Sequence, residues 1–135
     1  MAGEDGQMFK KIVVGLGRSR TGHIAAERAF ALARQLGATL YVVTAFAPGQ
    51  KDSTATREQA ERLVRSFAAS HVGTIVVDAL PGNPVRAILR VATEMKADLI
   101  VVGNKGMRGA GRLLGSVPNS ITHKAPCSVL VVKTT

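Results

Sequence analysis

Five short apolar runs alternate with segments of helical spacing along the 135-residue chain. The runs are rich in β-branched residues and lie at 12–14, 39–45, 74–79, 98–102 and 128–132. Because they are too apolar to face water on either side, we expect strands of a parallel sheet covered by helices on both faces. The sequence therefore predicts a three-layer, doubly wound α/β fold with five parallel strands. We expect one domain over residues 1–135, with a flexible N-terminus at 1–8.

The segments between the runs predict helices with defined ends. In the first segment, apolar residues recur at i, i+4, i+7, i+8 and i+11, and Gly37 supplies a C-terminal stop. This stripe consists of Ala25, Ala29, Leu32, Ala33 and Leu36. The third segment opens with Asn83 as N-cap and Pro84 at the first helical position, where no intrahelical N–H is needed. Its predicted buried face consists of Val85, Ile88, Leu89 and Ala92.

Charge and composition restrict the partners and the compartment. The chain has 18 Lys and Arg against 9 Asp and Glu, and its net charge of +9 favours an anionic partner. No apolar run reaches the roughly 20 residues that cross a bilayer, and the N-terminal residues lack the pattern of a secretory signal. We therefore expect a cytoplasmic protein without a membrane partner. The single cysteine, Cys127, excludes an internal disulfide and is predicted to be a buried, inert thiol.

A glycine-rich segment, GNKGMRGAGRLLGS at 103–116, follows the fourth run. Its five glycines allow consecutive N–H groups to converge on one anion, and Lys105, Arg108 and Arg112 add positive charge. In doubly wound sheets, ligands bind beyond the carboxyl ends of the strands, where the strand order reverses. The segment GLGRSRTG at 15–22 follows the first strand and belongs to the same crevice. We predict an anion site between these loops; the alternative is a surface loop without a ligand.

Two familiar phosphate-binding motifs do not account for this site. The chain contains no Gly-Lys-Ser or Gly-Lys-Thr, which excludes a P-loop. A dinucleotide fingerprint matches poorly, because Arg20 stands where its third glycine belongs and no acidic residue ends the second strand.

The spacing of the glycines resembles that of the universal stress protein (UspA-like) family. Gly103-x-x-Gly106, followed by Gly115-Ser116, is similar to the family's nucleotide signature G-x2-G-x9-G-[ST]. The similarity runs from KKIVVGLGRS through ADLIVVGNKG to LLGSVPNSITHKAPCSVLVVK. The resemblance implies an adenine nucleotide alpha hydrolase-like fold with strand order 3-2-1-4-5. It also implies a stress-response sensor or regulator that binds ATP, with AMP or cyclic AMP as alternatives.

The resemblance further implies which residues hold the nucleotide. In the glycine loop the first two motif glycines approach ribose and phosphate, and the Gly-Ser pair donates to the phosphates. The main chain of Ala45 faces the adenine. The predicted nucleotide-binding residues are Gly15, Gly17, Arg18, Ala45, Gly103, Lys105, Gly106, Gly115, Ser116 and Val117.

The chain departs from the family pattern in two places. Eight residues, not nine, separate Gly106 from Gly115, so the loop must close more tightly. The family's first loop commonly reads V-G-x-D-G-S, whereas this chain has Gly17 at the acidic position.

Both loops at the predicted crevice lack carboxylates altogether. Mg²⁺ prefers carboxylate and phosphate oxygens, so we expect it to be held, if at all, through the nucleotide's phosphates. We expect Arg18 or Arg20, with Lys105, to neutralise the phosphates directly and to make binding less dependent on metal. The alternative is that both arginines only solvate a surface loop.

The sequence favours binding over catalysis. His23, His71 and His123 stand in separate segments without a metal-binding pattern and are predicted to be lone surface residues. No G-x-S-x-G motif is present, and the acid-free loops offer no general base. Ser116 also has a structural role available as the cap of the last helix. We expect no metal site and at most slow ATP hydrolysis.

The last strand predicts a partner. In the strand order that the resemblance implies, residues 128–132 lie at an edge of the sheet, and SVLVV has neither proline nor charge to discourage pairing. We expect a homodimer through this strand, acting on a downstream protein. Two alternatives stay open. A nucleotide-independent dimeric interaction protein is favoured by the missing carboxylate, and a nucleic-acid binder is disfavoured by the 4% aromatic content.

Overall fold

A computed structural model describes residues 8–17, 19–46, 57–104 and 114–134. Strands and helices alternate within these ranges. The elements are β1 (Lys11–Gly15), α1 (Arg20–Leu36), β2 (Thr39–Phe46), α2 (Arg57–Ser70), β3 (Ile75–Pro81), α3 (Pro84–Glu94), β4 (Leu99–Asn104), α4 (Ser116–Lys124) and β5 (Ser128–Lys133). Of the N-terminal segment predicted to be flexible, only Met8 falls inside the described ranges.

The strands form one parallel sheet in the order β3-β2-β1-β4-β5, which confirms the predicted architecture and strand order. The central strand β1 pairs with β2 on one side and β4 on the other, so that Val13 lies between Tyr41 and Ile100. The chain winds outward in one direction from β1 to β3 and in the other from β4 to β5. The strand order therefore reverses between β1 and β4, and their carboxyl ends open the crevice.

Helices cover both faces of the sheet. Ile12 and Val14 pack with α1 and α2 on one face, while Val13 packs with α3 and α4 on the other. All three side chains are fully buried, which explains why β1 reads as an uninterrupted apolar run. α1 contacts the sheet through alanines, and these small side chains let the helix approach closely. They are Ala25, Ala26, Ala29 and Ala33.

Two helical faces differ in part from their predictions. Leu36, predicted in the stripe of α1, is exposed, because the helix ends there and Gly37 turns the chain with a φ of 66°. On α3 the buried positions are Ala87, Ile88, Val91 and Ala92, whereas the predicted Val85 and Leu89 are half-buried at the margin of the core. The predicted face is thus confirmed at Ile88 and Ala92, and Val85 and Leu89 pack against the same core, while the buried Ala87 and Val91 were not predicted.

Two strands begin one residue later than predicted. β4 starts at Leu99 because the carboxylate of Asp98 turns back to accept hydrogen bonds from the N–H groups of Lys10 and Lys11, at 2.8 and 2.9 Å. β3 starts at Ile75 and extends to Pro81. A proline is tolerated there because β3 is an edge strand.

Candidate functional site

A cavity of about 240 Å³ lies at the carboxyl ends of β1 and β4, where the strand order reverses. Several elements meet there: the ends of β1, β2 and β4, and the first turns of α1, α3 and α4. The lining includes five of the residues predicted from the sequence, namely Gly15, Gly17, Ala45, Gly103 and Val117. The fold therefore brings together residues that lie as far as 102 positions apart in the chain.

At two of these glycines a Cβ would come too close to a neighbouring residue, so that the neighbour would have to shift. A Cβ at Gly15 would lie 2.7 Å from Cδ1 of Ile88, so glycine lets α3 pack against the end of β1. A Cβ at Gly103 would lie 2.9 Å from the carbonyl oxygen of Thr21, in the first turn of α1. Gly17 differs, because a Cβ there meets nothing within 4 Å. The rim of the cavity is thus close-packed at β1 and β4 and open at the first loop.

Local caps fix the starts of α1 and α3 beside the cavity. Ser19 is the N-cap of α1 and accepts a hydrogen bond from the N–H of Gly22 at 3.1 Å. Asn83 is the N-cap of α3, with Pro84 at the first helical position, as predicted. Its Oδ1 accepts from the N–H of Arg86 at 2.9 Å. These caps hold the ends of both helices at the edge of the crevice.

The start of α4 is organised by a residue to which the sequence assigned no role. Gly115 is the N-cap of this helix and has no side chain to cap it, so Ser116, predicted as the cap, is the first helical residue. The N–H of Gly115 donates to Oδ1 of Asn104 at 2.7 Å. The N–H that we predicted to face a phosphate is therefore held by β4. The sequence carries no signal for this role, because the burial of the Asn104 side chain is known only from the folded sheet.

The other predicted site residues are distributed as follows. Ser116 lies at the start of α4, next to the cavity-lining Val117. Arg20 is exposed at the start of α1. Lys105, Gly106 and Arg18 lie outside the described residues.

The described lining is apolar and carries no ionisable side chain. Its polar members are the main chain of the glycines and three residues with a hydroxyl, Ser19, Thr21 and Thr44. Within residues 8–17, 19–46, 57–104 and 114–134, no group of three or more His, Cys, Asp or Glu could hold a metal ion. Such a lining can bind an apolar ring system and hydrogen-bond to it, but it provides no acid or base for catalysis.

Perturbed titratable groups lie away from this cavity. His71 was predicted to be a lone surface residue, and this prediction was wrong. Its ring packs between Phe67 and Phe30 and pairs with Glu27. Cys127 is half-buried, not buried as predicted, and burial together with the charge of Asp98 raises the pKa of its thiol.

No helix in the described part of the chain has both the length and the apolar character that a bilayer crossing requires.

Comparison with known proteins places the chain among relatives of one kind. The sequence model of the universal stress protein family matches residues 8–133. A universal stress protein of Thermus aquaticus is 37% identical over 137 aligned residues, covering 93% of this chain and 100% of that protein. One from Mycobacterium tuberculosis is 33% identical over 144 aligned residues, covering 94% and 98%.

Solved structures agree with the sequence comparison. A crystal structure of a universal stress protein in complex with cAMP superimposes with a TM-score of 0.74 at 33% identity, covering 95% of this chain and 99% of that one. A universal stress protein of Archaeoglobus fulgidus in complex with dAMP gives a TM-score of 0.67 at 23% identity, covering 93% and 99%. The second similarity supports the fold alone.

Proposed function

Because the chain belongs to the universal stress protein family, we propose that it binds an adenine nucleotide and acts as a sensor or regulator in a stress response. The proposed ligand is ATP, with AMP and cyclic AMP as alternatives. The observation that carries the proposal is the cavity at the reversal of strand order, rimmed by the main chain of glycines. The described part of its lining has apolar surface and hydroxyl groups that can hold a nucleoside.

The size and lining of the cavity suggest which part of the nucleotide lies inside it and which part extends toward the loops. A volume of about 240 Å³ lies just below the range for small-molecule pockets, which suits the nucleoside better than a whole nucleotide. We propose that adenine lies against Ala45 and the end of β2. The phosphates then reach toward the loops at 15–22 and 103–116. Cyclic AMP is the main competitor to ATP, because a relative of 33% identity was crystallised with it.

The direct test is to identify a nucleotide carried by the freshly purified protein and then to titrate ATP, AMP, cyclic AMP and adenosine by calorimetry. We expect at least one nucleotide to bind more tightly than adenosine, because the two loops supply positive charge. Catalytic turnover of ATP is expected to be slow or absent. If no nucleotide is recovered and none binds on titration, the nucleotide-independent interaction protein becomes the better assignment. Strongly salt-dependent binding of DNA instead supports a nucleic-acid binder.

The missing carboxylate provides a sharper test of the phosphate end. We propose that Arg18 or Arg20, with Lys105, replaces the metal that a carboxylate would help to hold. Gly17→Asp restores the family's acidic position at a site where a Cβ meets nothing within 4 Å. We expect this change to weaken metal-free ATP binding about tenfold and Mg²⁺ to recover much of the loss.

Gly17→Asn is the matched control, because it fills the same space without charge. A loss of affinity caused by filling the space appears in both variants, so only the loss in Gly17→Asp beyond that in Gly17→Asn is assigned to the charge. If the wild type no longer binds ATP after EDTA is added, the proposal that the arginine and lysine side chains neutralise the phosphates without metal is wrong.

We also propose a homodimer through residues 128–132. β5 is an edge strand of the described sheet, and Leu130 on it is 42% exposed. A large apolar side chain on an unpaired edge favours pairing with a second copy. Light scattering at micromolar concentration should give the mass of a dimer, and Leu130→Glu should give the mass of a monomer. A monomeric wild type under these conditions contradicts the proposal.

A further inference from the structure

Thr44, on β2, has a buried hydroxyl that makes no hydrogen bond within the described part of the chain. The residue is 3% exposed, and Thr44 and Asn104 are the polar residues buried in the described core. A buried hydroxyl without a partner lowers the stability of the folded chain, because it gives up its hydrogen bonds to water and gains none. No contact among the described residues therefore accounts for a hydroxyl at this position.

The Thr44 hydroxyl has access to the cavity at the carboxyl ends of β1 and β4. Thr44 is one of the residues that line this cavity. Among the described side chains, Nδ2 of Asn104 is the one buried N or O atom that lacks both a hydrogen-bond partner and contact with solvent. Oγ1 of Thr44 has no partner either, so it keeps contact with solvent, and the solvent space next to Thr44 is the cavity. A ligand inside the cavity can therefore reach this atom.

Thr44 differs from the other two hydroxyl-bearing residues of the lining. Ser19 uses its hydroxyl as the N-cap of α1, where it accepts the N–H of Gly22 at 3.1 Å. Thr21 is half-buried, so water can bond to its hydroxyl. Thr44 precedes Ala45, which packs on the α3 side of the sheet. Because side chains alternate along a strand, Thr44 faces the α1 side of the cavity.

We propose that the Thr44 hydroxyl binds the nucleoside part of the ligand, through a hydrogen bond to an uncharged polar group of the base or the ribose. The described lining carries no ionisable side chain. A group bonded to Thr44 therefore lies in apolar surroundings, which favour an uncharged partner over a phosphate. This proposal rests on the proposed function and adds to it a binding residue outside the glycine loop and outside the set predicted from the sequence.

Thr44→Val tests the proposal, because it removes the hydroxyl and keeps the shape of the side chain. We expect the affinities for adenosine and for AMP, measured by calorimetry, to fall by the same factor of about five, as for the loss of one hydrogen bond. Thr44→Ser keeps the hydroxyl and should bind both ligands within about twofold of the wild type.

Folding stability separates a role in binding from a role in the fold. Since the hydroxyl has no partner among the described residues, Thr44→Val should not lower the urea midpoint of the ligand-free protein. A lowered midpoint would mean that the hydroxyl serves the fold, and it contradicts the proposal. Thr39→Val is the matched control, because it makes the same change at the other end of β2, outside the lining of the cavity. It should leave both affinities unchanged.

Three results overturn the proposal and leave the proposed function standing. Thr44→Val binds both ligands as tightly as the wild type, or Thr44→Ser loses as much affinity as Thr44→Val, or Thr44→Val loses affinity for AMP alone, which assigns the contact to the phosphate. A wild type that binds no adenosine and no adenine nucleotide rejects the proposed function itself, and this proposal with it.

Discussion

Helices α3 and α4 both begin at the rim of the same cavity, but their starts are held in different ways. α3 is capped by the residue just before it, since Asn83 accepts the N–H of Arg86 at 2.9 Å. α4 is preceded by a glycine with no side chain, and its N-cap N–H is held by Asn104, 11 positions upstream on β4. One helix start is self-contained, whereas the other depends on the position of a strand.

Because of this difference, we expect the start of α3 to keep its position and the start of α4 to move with β4. A local cap survives when the surrounding structure shifts, because both partners move together. A remote hydrogen bond holds only while β4 and α4 keep their relative positions. The 105–114 segment between them contains Lys105, one of the residues proposed to neutralise the phosphates. We therefore expect the proposed phosphate binding at this end of the cavity to be coupled to the end of β4, and the start of α3 to be independent of it.

The largest expected effect is that of Gly103→Ala, which should disturb α4 and spare α3. The new Cβ would lie 2.9 Å from the carbonyl oxygen of Thr21 and 3.1 Å from Cγ2 of Thr134, and a main-chain atom has little freedom to move away. We expect a loss of about 2 kcal/mol in the free energy of unfolding, as for other overpacked sites. Urea denaturation measures it.

Hydrogen exchange then shows which backbone amides lose protection in Gly103→Ala. The Gly115 N–H should lose protection, because Asn104 moves with β4, while the Arg86 N–H at the start of α3 keeps its protection. Gly17→Ala is the control, since its Cβ meets no atom within 4 Å, and it should change stability by less than about 0.5 kcal/mol. Equal loss of protection at both helix starts contradicts the distinction between them.

A smaller effect is expected from Asn83→Ala, the complementary change. Removal of a side-chain N-cap costs about 1 kcal/mol. Here the Arg86 N–H should lose protection and the Gly115 N–H should not. Asn83→Asp retains the acceptor and is expected to keep nearly all of the stability. If Asn83→Ala also lowers the protection of the Gly115 N–H, the two helix starts are coupled and the start of α3 is not held independently.

The same contrast explains what the sequence could reveal. Asn83 and Pro84 stand at the helix they cap, so the pattern of neighbouring residues predicted them, and the strand order followed from the resemblance. The role of Asn104 could not be read from the chain, because its partner lies 11 positions away and only the folded sheet brings the two together. The buried face of α3 was predicted only in part, since Ala87 and Val91 were missed. How deeply each apolar position of the helix is buried depends on contacts with strands far away in sequence.

The contacts of His71 were not predicted either, because one of its partners lies far away in sequence. His71 stands at a third helix end, which is held by one local and one remote partner. The smallest of the expected effects concerns this residue. It follows the last residue of α2, and its ring contacts the Phe67 carbonyl through Nδ1 at 2.6 Å and the Glu27 carboxylate on α1 through Nε2 at 2.7 Å. Both partners are acceptors, so the doubly protonated ring satisfies both contacts at once. Any neutral tautomer leaves one ring nitrogen facing an acceptor without a proton.

Stability should therefore depend on pH through this residue. Burial lowers the pKa of His71, but the hydrogen bonds to Glu27 and to the Phe67 carbonyl, together with the charge of Glu27, outweigh it and raise the pKa above its ordinary value of 6.5. A raised pKa in the folded state means that the stabilisation is fully present below 6.5 and is lost as the pH rises through the folded-state pKa. Glu27 is 56% exposed, so solvent screening keeps the effect below about 1 kcal/mol. Urea denaturation of the wild type and of His71→Gln, which cannot titrate, should show their difference in unfolding free energy shrinking as the pH rises from 6.5 through the raised pKa. A difference that stays constant across this range, or grows with pH, would mean that the ring holds α1 and α2 together by packing alone.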